Sequence, residues 1–248
     1  MHRINIVLQR GKWVIGLIIM VIVPSIYAQG GISLSQTRVV FNAEEKSAKV
    51  TINNQSERVY LINGRVQSTA NATGSATESV PFMVTPPLFR LEKESRNTVL
   101  VVRNDVTQLP KDRESVFYLS FLAIPSVEKS QGIGVSAMNP QVSIGLRSII
   151  KLFYRPTGLA LAVTEAPEKL RFSLQGDQLQ VNNPTPYYLT LAELSLGQYP
   201  VEIRQQGAMI APFSHQTYPI QKISHQVSWS VINDYGGLSP RYQEELTR

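Results

Sequence analysis

The sequence predicts an all-β protein built as two sandwich domains in tandem. Three observations predict it. Short β-branched and aromatic runs recur along the chain, separated by Asn, Gly and Pro clusters. No long segment with a 3.6-residue apolar period follows residue 28; only the tail near Glu244 offers a turn of helix. The strands outnumber those of one seven-stranded sandwich, and no helices lie between them to make a parallel α/β sheet.

The first 28 residues precede this pattern and read as an export signal. Arg3, Arg10 and Lys12 form a positive start without an acid, Trp13 to Val23 is an apolar run, Pro24 and Ser25 break it, and Ala28 offers a small residue for cleavage. The alternative is a membrane anchor, but that run is too short for a hydrocarbon core of about 30 Å. The mature chain is then Gln29 to Arg248, with three fewer positive charges than the +6 of the whole chain. That balance is too weak to argue for nucleic acid.

Ile32 to Phe41 is apolar and β-branched, fit for one buried strand; Lys49 to Asn53 alternates, which suits a half-exposed one. Asn97 to Arg103 and Val116 to Ile124 are further strand-length runs. Asn53-Asn54, the loop 71–79, Pro86-Pro87 and Leu109 to Asp112 supply the turns. In the second half, Leu170 to Gln175 and Gln178 to Asn182 flank Gly176-Asp177, a two-residue hairpin signal. Tyr187 to Leu194 and Val227 to Ile232 continue the series. Arg155-Pro156-Thr157-Gly158 suits a hinge, so the expected organisation is a signal at 1–28, a first domain at 29–156 and a second at 157–248.

Signs of enzyme chemistry are nearly absent. The chain has no cysteine and three histidines, which excludes disulfides, thiolate metal sites and a cysteine nucleophile. Gly31 to Ser35 lacks the second glycine of a nucleophile elbow. His215 and His225 lie in polar stretches that suit solvated surface histidines. Glu114 and Asp234 have no spacing that argues for glycosidase work. The expectation is a protein that is not an enzyme, with no metal and no cofactor.

One segment has an unusual pattern. Val142, Ile144 and Leu146 alternate with small or polar residues, and the run then becomes continuous apolar sequence from Ile149 to Tyr154, interrupted by Lys151. Such a strand has two environments. The plain reading is an ordinary half-buried strand; the sharper one is an edge strand that pairs with another protein.

Five stretches then resemble, in order, the signatures of the periplasmic pilus (fimbrial) chaperones. They are Ser35 to Phe41, Leu109 to Tyr118, Ile150 to Pro156, Asn183 to Thr190, and Ile232 to Gly237. The resemblance spans essentially the whole mature chain. It implies two immunoglobulin-like sandwiches in an L-shaped arrangement. It also implies a chaperone that inserts a strand into pilus subunits lacking one of their own and delivers them to an outer-membrane usher. On that resemblance Val142, Ile144 and Leu146 are the donor-strand residues. Arg38 and Lys151 are the anchor for the subunit's C-terminal carboxylate. Glu114, Arg155 and Asp234 form a structural ion network between the domains. Lys151 has the opposite parity to the donor residues, so it faces away from them unless a bulge intervenes.

Some alternatives stay open. The stretch from Pro125 to Lys151 is longer than in short-loop members, yet the cysteine pair of long-loop members is absent, so the subgroup is undecided. Self-association of the free protein is a further open case. Against the chaperone stand an exported structural surface protein, such as a pilus subunit or adhesin, and an exported hydrolase. A subunit is expected to have an incomplete sandwich, and a hydrolase needs a nucleophile–base pair that the sequence does not offer.

Overall fold

The computed structural model describes residues 31–71, 80–126 and 144–246. The export segment, the loop 72–79 and Val142 of the alternating run lie outside the described residues.

Among the described residues, nine strands build the first sandwich. They are β1 (Ile32–Leu34), β2 (Arg38–Asn42), β3 (Ser47–Asn54), β4 (Tyr60–Gln67), β5 (Phe82–Thr85), β6 (Leu88–Leu91), β7 (Ser95–Arg103), β8 (Ser115–Pro125) and β9 (Leu146–Arg155). One sheet has the order β1-β3-β7-β5 and the facing sheet the order β2-β9-β8-β4-β6. Alternation fixes which side chains go inside. In β3, Val50 and Ile52 are buried while Lys49, Thr51 and Asn53 stay at least partly in solvent. Phe82 gathers Phe41, Phe117 and Tyr154 around it at ring separations of 5.3, 5.1 and 5.8 Å, in the tilted geometries that aromatic quadrupoles favour.

The expected single strand from Ile32 to Phe41 is two strands. β1 pairs with β3 in one sheet, whereas β2 pairs with β9 in the other. The polar stretch Ser35-Gln36-Thr37 carries the chain across, and the Ser35 N–H donates to the Thr51 carbonyl on the way. Neither Gly nor Pro marks this switch, so an apolar run on either side of it reads as continuous.

The second sandwich follows a single 3-10 turn, Ala166–Lys169. Its strands are β10 (Arg171–Gln175), β11 (Gln178–Asn183), β12 (Leu189–Leu196), β13 (Tyr199–Pro200), β14 (Met209–Ile210), β15 (Ser214–Pro219), β16 (Gln226–Val231) and β17 (Tyr242–Glu245). β10-β11-β15 form one sheet and β13-β12-β16-β17 the other, with β14 on β12. Gly176, at φ +63°, closes the predicted β10–β11 hairpin between Gln175 and Gln178. The tail at Glu244 is strand rather than helix. β16 offers it a free edge, and Tyr242 stacks on Trp229 at 5.8 Å. Trp229 itself is buried and donates its indole N–H to the Pro167 carbonyl at 3.0 Å. Each sandwich thus has its own apolar core.

Candidate functional site

The two strands that carry the expected cations are neighbours. β2 and β9 run parallel, with Arg38 opposite Lys151 and Asn42 opposite Arg155. Register partners in a sheet share a face, with Cβ atoms about 4.5–5.5 Å apart. Residues separated by 113 positions therefore present two positive side chains side by side. Two cations so placed repel each other and invite an anion between them.

The surroundings sharpen that tendency. Burial lowers the Lys151 ammonium below its ordinary pKa, and the charge of Arg38 adds to the effect. Burial likewise lowers Arg38, against the pull of Asp234 and Glu114. Among the described residues no carboxylate lies within ion-pair distance of either group. One arm of Arg38, Nη1, donates to the Ile232 carbonyl of the second sandwich at 3.0 Å. Its buried Nε has no hydrogen-bond partner among the described residues. A buried donor in that state is costly unless a ligand satisfies it.

β9 has two faces and two halves. Ile150, Leu152 and Tyr154 point into the first core. On the other face, Phe153 is covered by Tyr188 of the second sandwich, their ring centroids 5.7 Å apart. The continuous apolar stretch is thus buried on both faces, but by different domains. The first half is open. Ile144 is 80% exposed and Leu146 51%. β8 covers one edge of β9 from Leu146 to Tyr154, whereas β2 reaches the other edge only at Lys151. Among the described residues, no strand pairs with the β2-side edge from Leu146 to Ile150. That edge ends at the two cations. The β8–β9 register has no shift, so Leu146 and Lys151 lie on opposite faces.

Glu114, Arg155 and Asp234 also meet. Arg155 Nε donates to Glu114 Oε1 at 2.7 Å, while Nη1 and Nη2 donate to Asp234 Oδ2 and Oδ1 at 2.7 and 2.9 Å. The second Glu114 oxygen accepts the Tyr188 N–H at 2.8 Å. Glu114 is buried, and burial pushes its carboxyl up, opposed by the Arg155 charge and the Tyr188 N–H. Burial also works against the Arg155 charge, but the bonds to Asp234 and the two carboxylate charges outweigh it and raise its pKa. The fork geometry gives directional as well as electrostatic strength.

Sequence reasoning assigned no role to several supporting groups. Tyr188 and Phe153 wall the cleft, and Gly236 lets the second domain approach the first. Gly236 sits at φ +84°, and a Cβ there would collide with the Thr37 hydroxyl, one residue from Arg38. The Gly236-Gly237 pair was the available signal. His215 and His225 lie elsewhere, on the β15 strand and just before β16. Among the described residues no cluster of metal-ligating side chains occurs.

Comparison with known proteins agrees with this architecture. Residues 31–160 match the model of the pili and flagellar-assembly chaperone, PapD N-terminal domain, and residues 165–243 that of its C-terminal domain. The chain belongs to the pili-assembly chaperone family. It is 37% identical to the chaperone protein FimC of Escherichia coli strain K12 over 216 residues, covering 86% of this chain and 84% of FimC. The Salmonella enterica SafB chaperone, solved in complex with the SafA pilin, superposes with a TM-score of 0.74 at 26% identity, covering 89% and 98% of the two chains. The periplasmic chaperone SfaE superposes with a TM-score of 0.68 at 32% identity, covering 86% and 98%. The fold is therefore the all-β, two-domain fold of pilus chaperones.

Proposed function

We propose that this protein is a periplasmic chaperone that captures pilus subunits by lending them the open half of β9, and then passes them to an outer-membrane usher. Residues 1–28 direct export and are cleaved; the first domain ends at Arg155-Pro156 and the second begins at Thr157. The subunit's C-terminal carboxylate lies between Arg38 and Lys151. Its last strand runs along the unpaired edge, and Val142, Ile144 and Leu146 fill its groove. Glu114, Arg155 and Asp234 hold the two domains at the angle the cleft needs.

One observation carries this reading: among the described residues, a strand edge that no other strand pairs, with exposed apolar side chains, ends at two adjacent cations with no carboxylate at ion-pair distance. Each half alone is ambiguous. An open edge invites aggregation as readily as function, and two cations can simply be solvated. Together they fit a chain end that is extended, apolar on alternate residues and negative at its terminus. SafB, which shares the fold, is a chaperone that has been solved with a pilin bound.

The magnitudes divide the work. Each groove residue contributes about 1.5–3 kcal/mol on full burial, and each added main-chain bond about 0.5–1.5 kcal/mol net. A charge-assisted bond at the anchor contributes roughly 1.5–3 kcal/mol before desolvation. The ladder dominates affinity. The anchor fixes register, since a slip of one residue turns the apolar set away from the groove.

The test is co-expression with a candidate pilus subunit, followed by affinity capture. Arg38→Ala and Lys151→Ala are expected to abolish recovery of the subunit while both variants keep the circular dichroism spectrum of the parent. Unchanged recovery with both variants would refute the anchor.

A further inference from the structure

The row of side chains across the cleft does not stop at the two cations. In the β8–β9 ladder Lys151 lies opposite Tyr118, just as it lies opposite Arg38 in the β2–β9 ladder. Arg38, Lys151 and Tyr118 thus stand on one face of three successive strands, spaced about 4.8 Å apart, with Lys151 in the middle. All three side chains are long and of similar reach. All three project from the same side of the sheet. The face they share is the one that bears Phe153, which packs on Tyr188 of the second sandwich.

Tyr118 stands on the face of β8 that bears Lys151 on β9. Burial raises the Tyr188 phenol, and the nearby Tyr118 raises it further. Tyr118 is half-buried, and among the described residues no hydrogen bond engages its hydroxyl. Arg38, by contrast, is held in place by its bond to the Ile232 carbonyl. An anion centred over Lys151 has Arg38 on one flank and the Tyr118 hydroxyl on the other. A carboxylate has two oxygens and accepts on both.

We infer that Tyr118 is a third member of the anion site, its hydroxyl donating a hydrogen bond to the carboxylate oxygen turned away from Arg38. The inference deepens the chaperone reading and rests on it. It makes the site a three-point cradle that selects a carboxylate over any neutral chain end. Lys151 and Arg38 supply the charge, and the Tyr118 hydroxyl adds a neutral donor that sets the orientation.

The probe is the C-terminal strand of a pilus subunit that the protein captures on co-expression, synthesised as a free acid and as a carboxamide. Binding is read by calorimetry against the full-length protein and its Tyr118→Phe variant, which keeps the ring and its packing. The parent is expected to prefer the acid. Tyr118→Phe is expected to lose about tenfold in affinity for the acid, the factor that corresponds to 1.4 kcal/mol, and to bind the amide as the parent does. If the parent prefers the acid and Tyr118→Phe binds it equally well, Tyr118 has no part in the site although the chaperone reading stands. An equal loss for acid and amide would make Tyr118 a packing residue and overturn the inference. If the parent binds neither peptide, or both alike, the anchor itself fails and the inference falls with it.

Discussion

At the scale of single residues, the cleft exchanges stability for binding. Lys151 is pressed against Arg38 and partly removed from water, and both effects lower its pKa. A base whose pKa falls on folding destabilises the fold while charged. Stability then rises as pH climbs from the folded-state value towards the ordinary 10.5, because the unfolded chain holds the proton longer. At neutral pH the free protein bears the full penalty. Replacing the ammonium with an apolar side chain of similar length removes it. Lys151→Met is therefore expected to raise the melting temperature of the free protein, by an increment in the range of about 0.2–1 kcal/mol typical of partly solvated charges, and to abolish subunit capture. A lower melting temperature would mean that Lys151 has a stabilising partner. The same variant is expected to flatten the rise of stability with pH on the alkaline side.

At the scale of elements, β9 shows what a sequence pattern can and cannot reveal. Its change from alternation to a continuous apolar run marks the change from an open edge to a strand covered by both domains. That much was legible, as was the Gly176-Asp177 hairpin, because both depend on neighbours in the chain. The pairing of β2 with β9 was not, since a parallel contact between residues 113 positions apart leaves no local trace; only the resemblance brought Arg38 and Lys151 together. β4 was missed for a different reason. Asn63 and Gly64 interrupt its apolar pattern, and Gly64 is needed within the strand because a Cβ there would meet Phe121 and Val84 at 3.0 Å. β13 and β14, with two residues each, are too short to show a period. The exposure of Ile144 and Leu146 leads to a prediction. Ile144→Ala and Leu146→Ala are expected to change folding stability by less than about 0.5 kcal/mol, as surface substitutions do, while each weakens the complex with the subunit. A large loss of stability on denaturant unfolding of either variant would place that side chain in the protein's own core instead.

For the whole molecule, the decisive question is what keeps the two sandwiches in register. Each core is complete on its own. Besides the Phe153–Tyr188 ring contact, polar contacts join them: the Arg155 fork, the Tyr188 N–H on Glu114, the Glu114 N–H on the Pro186 carbonyl, and Arg38 on the Ile232 carbonyl. Arg155 stands at the centre, bonded to a carboxylate from each domain, its side chain 15% exposed and that of Glu114 2%. Removing it leaves the Glu114 charge buried with no cation, a state that costs about 3–5 kcal/mol. Arg155→Ala is therefore expected to lose stability on that scale. Adding Glu114→Gln should restore part of it, because an amide can still accept the Tyr188 N–H without a buried charge. The domains are also expected to unfold in two urea transitions in Arg155→Ala, against one in the parent. Subunit capture should fall even though Arg38 and Lys151 are intact, since the Ile232 carbonyl that orients Arg38 belongs to the other sandwich. If Arg155→Ala unfolds in one transition with the parent's midpoint, the ion network does not couple the domains, and the cleft must be held by the remaining contacts, the Phe153–Tyr188 rings, the Gly236–Thr37 approach and the bonds to the Pro186 and Ile232 carbonyls.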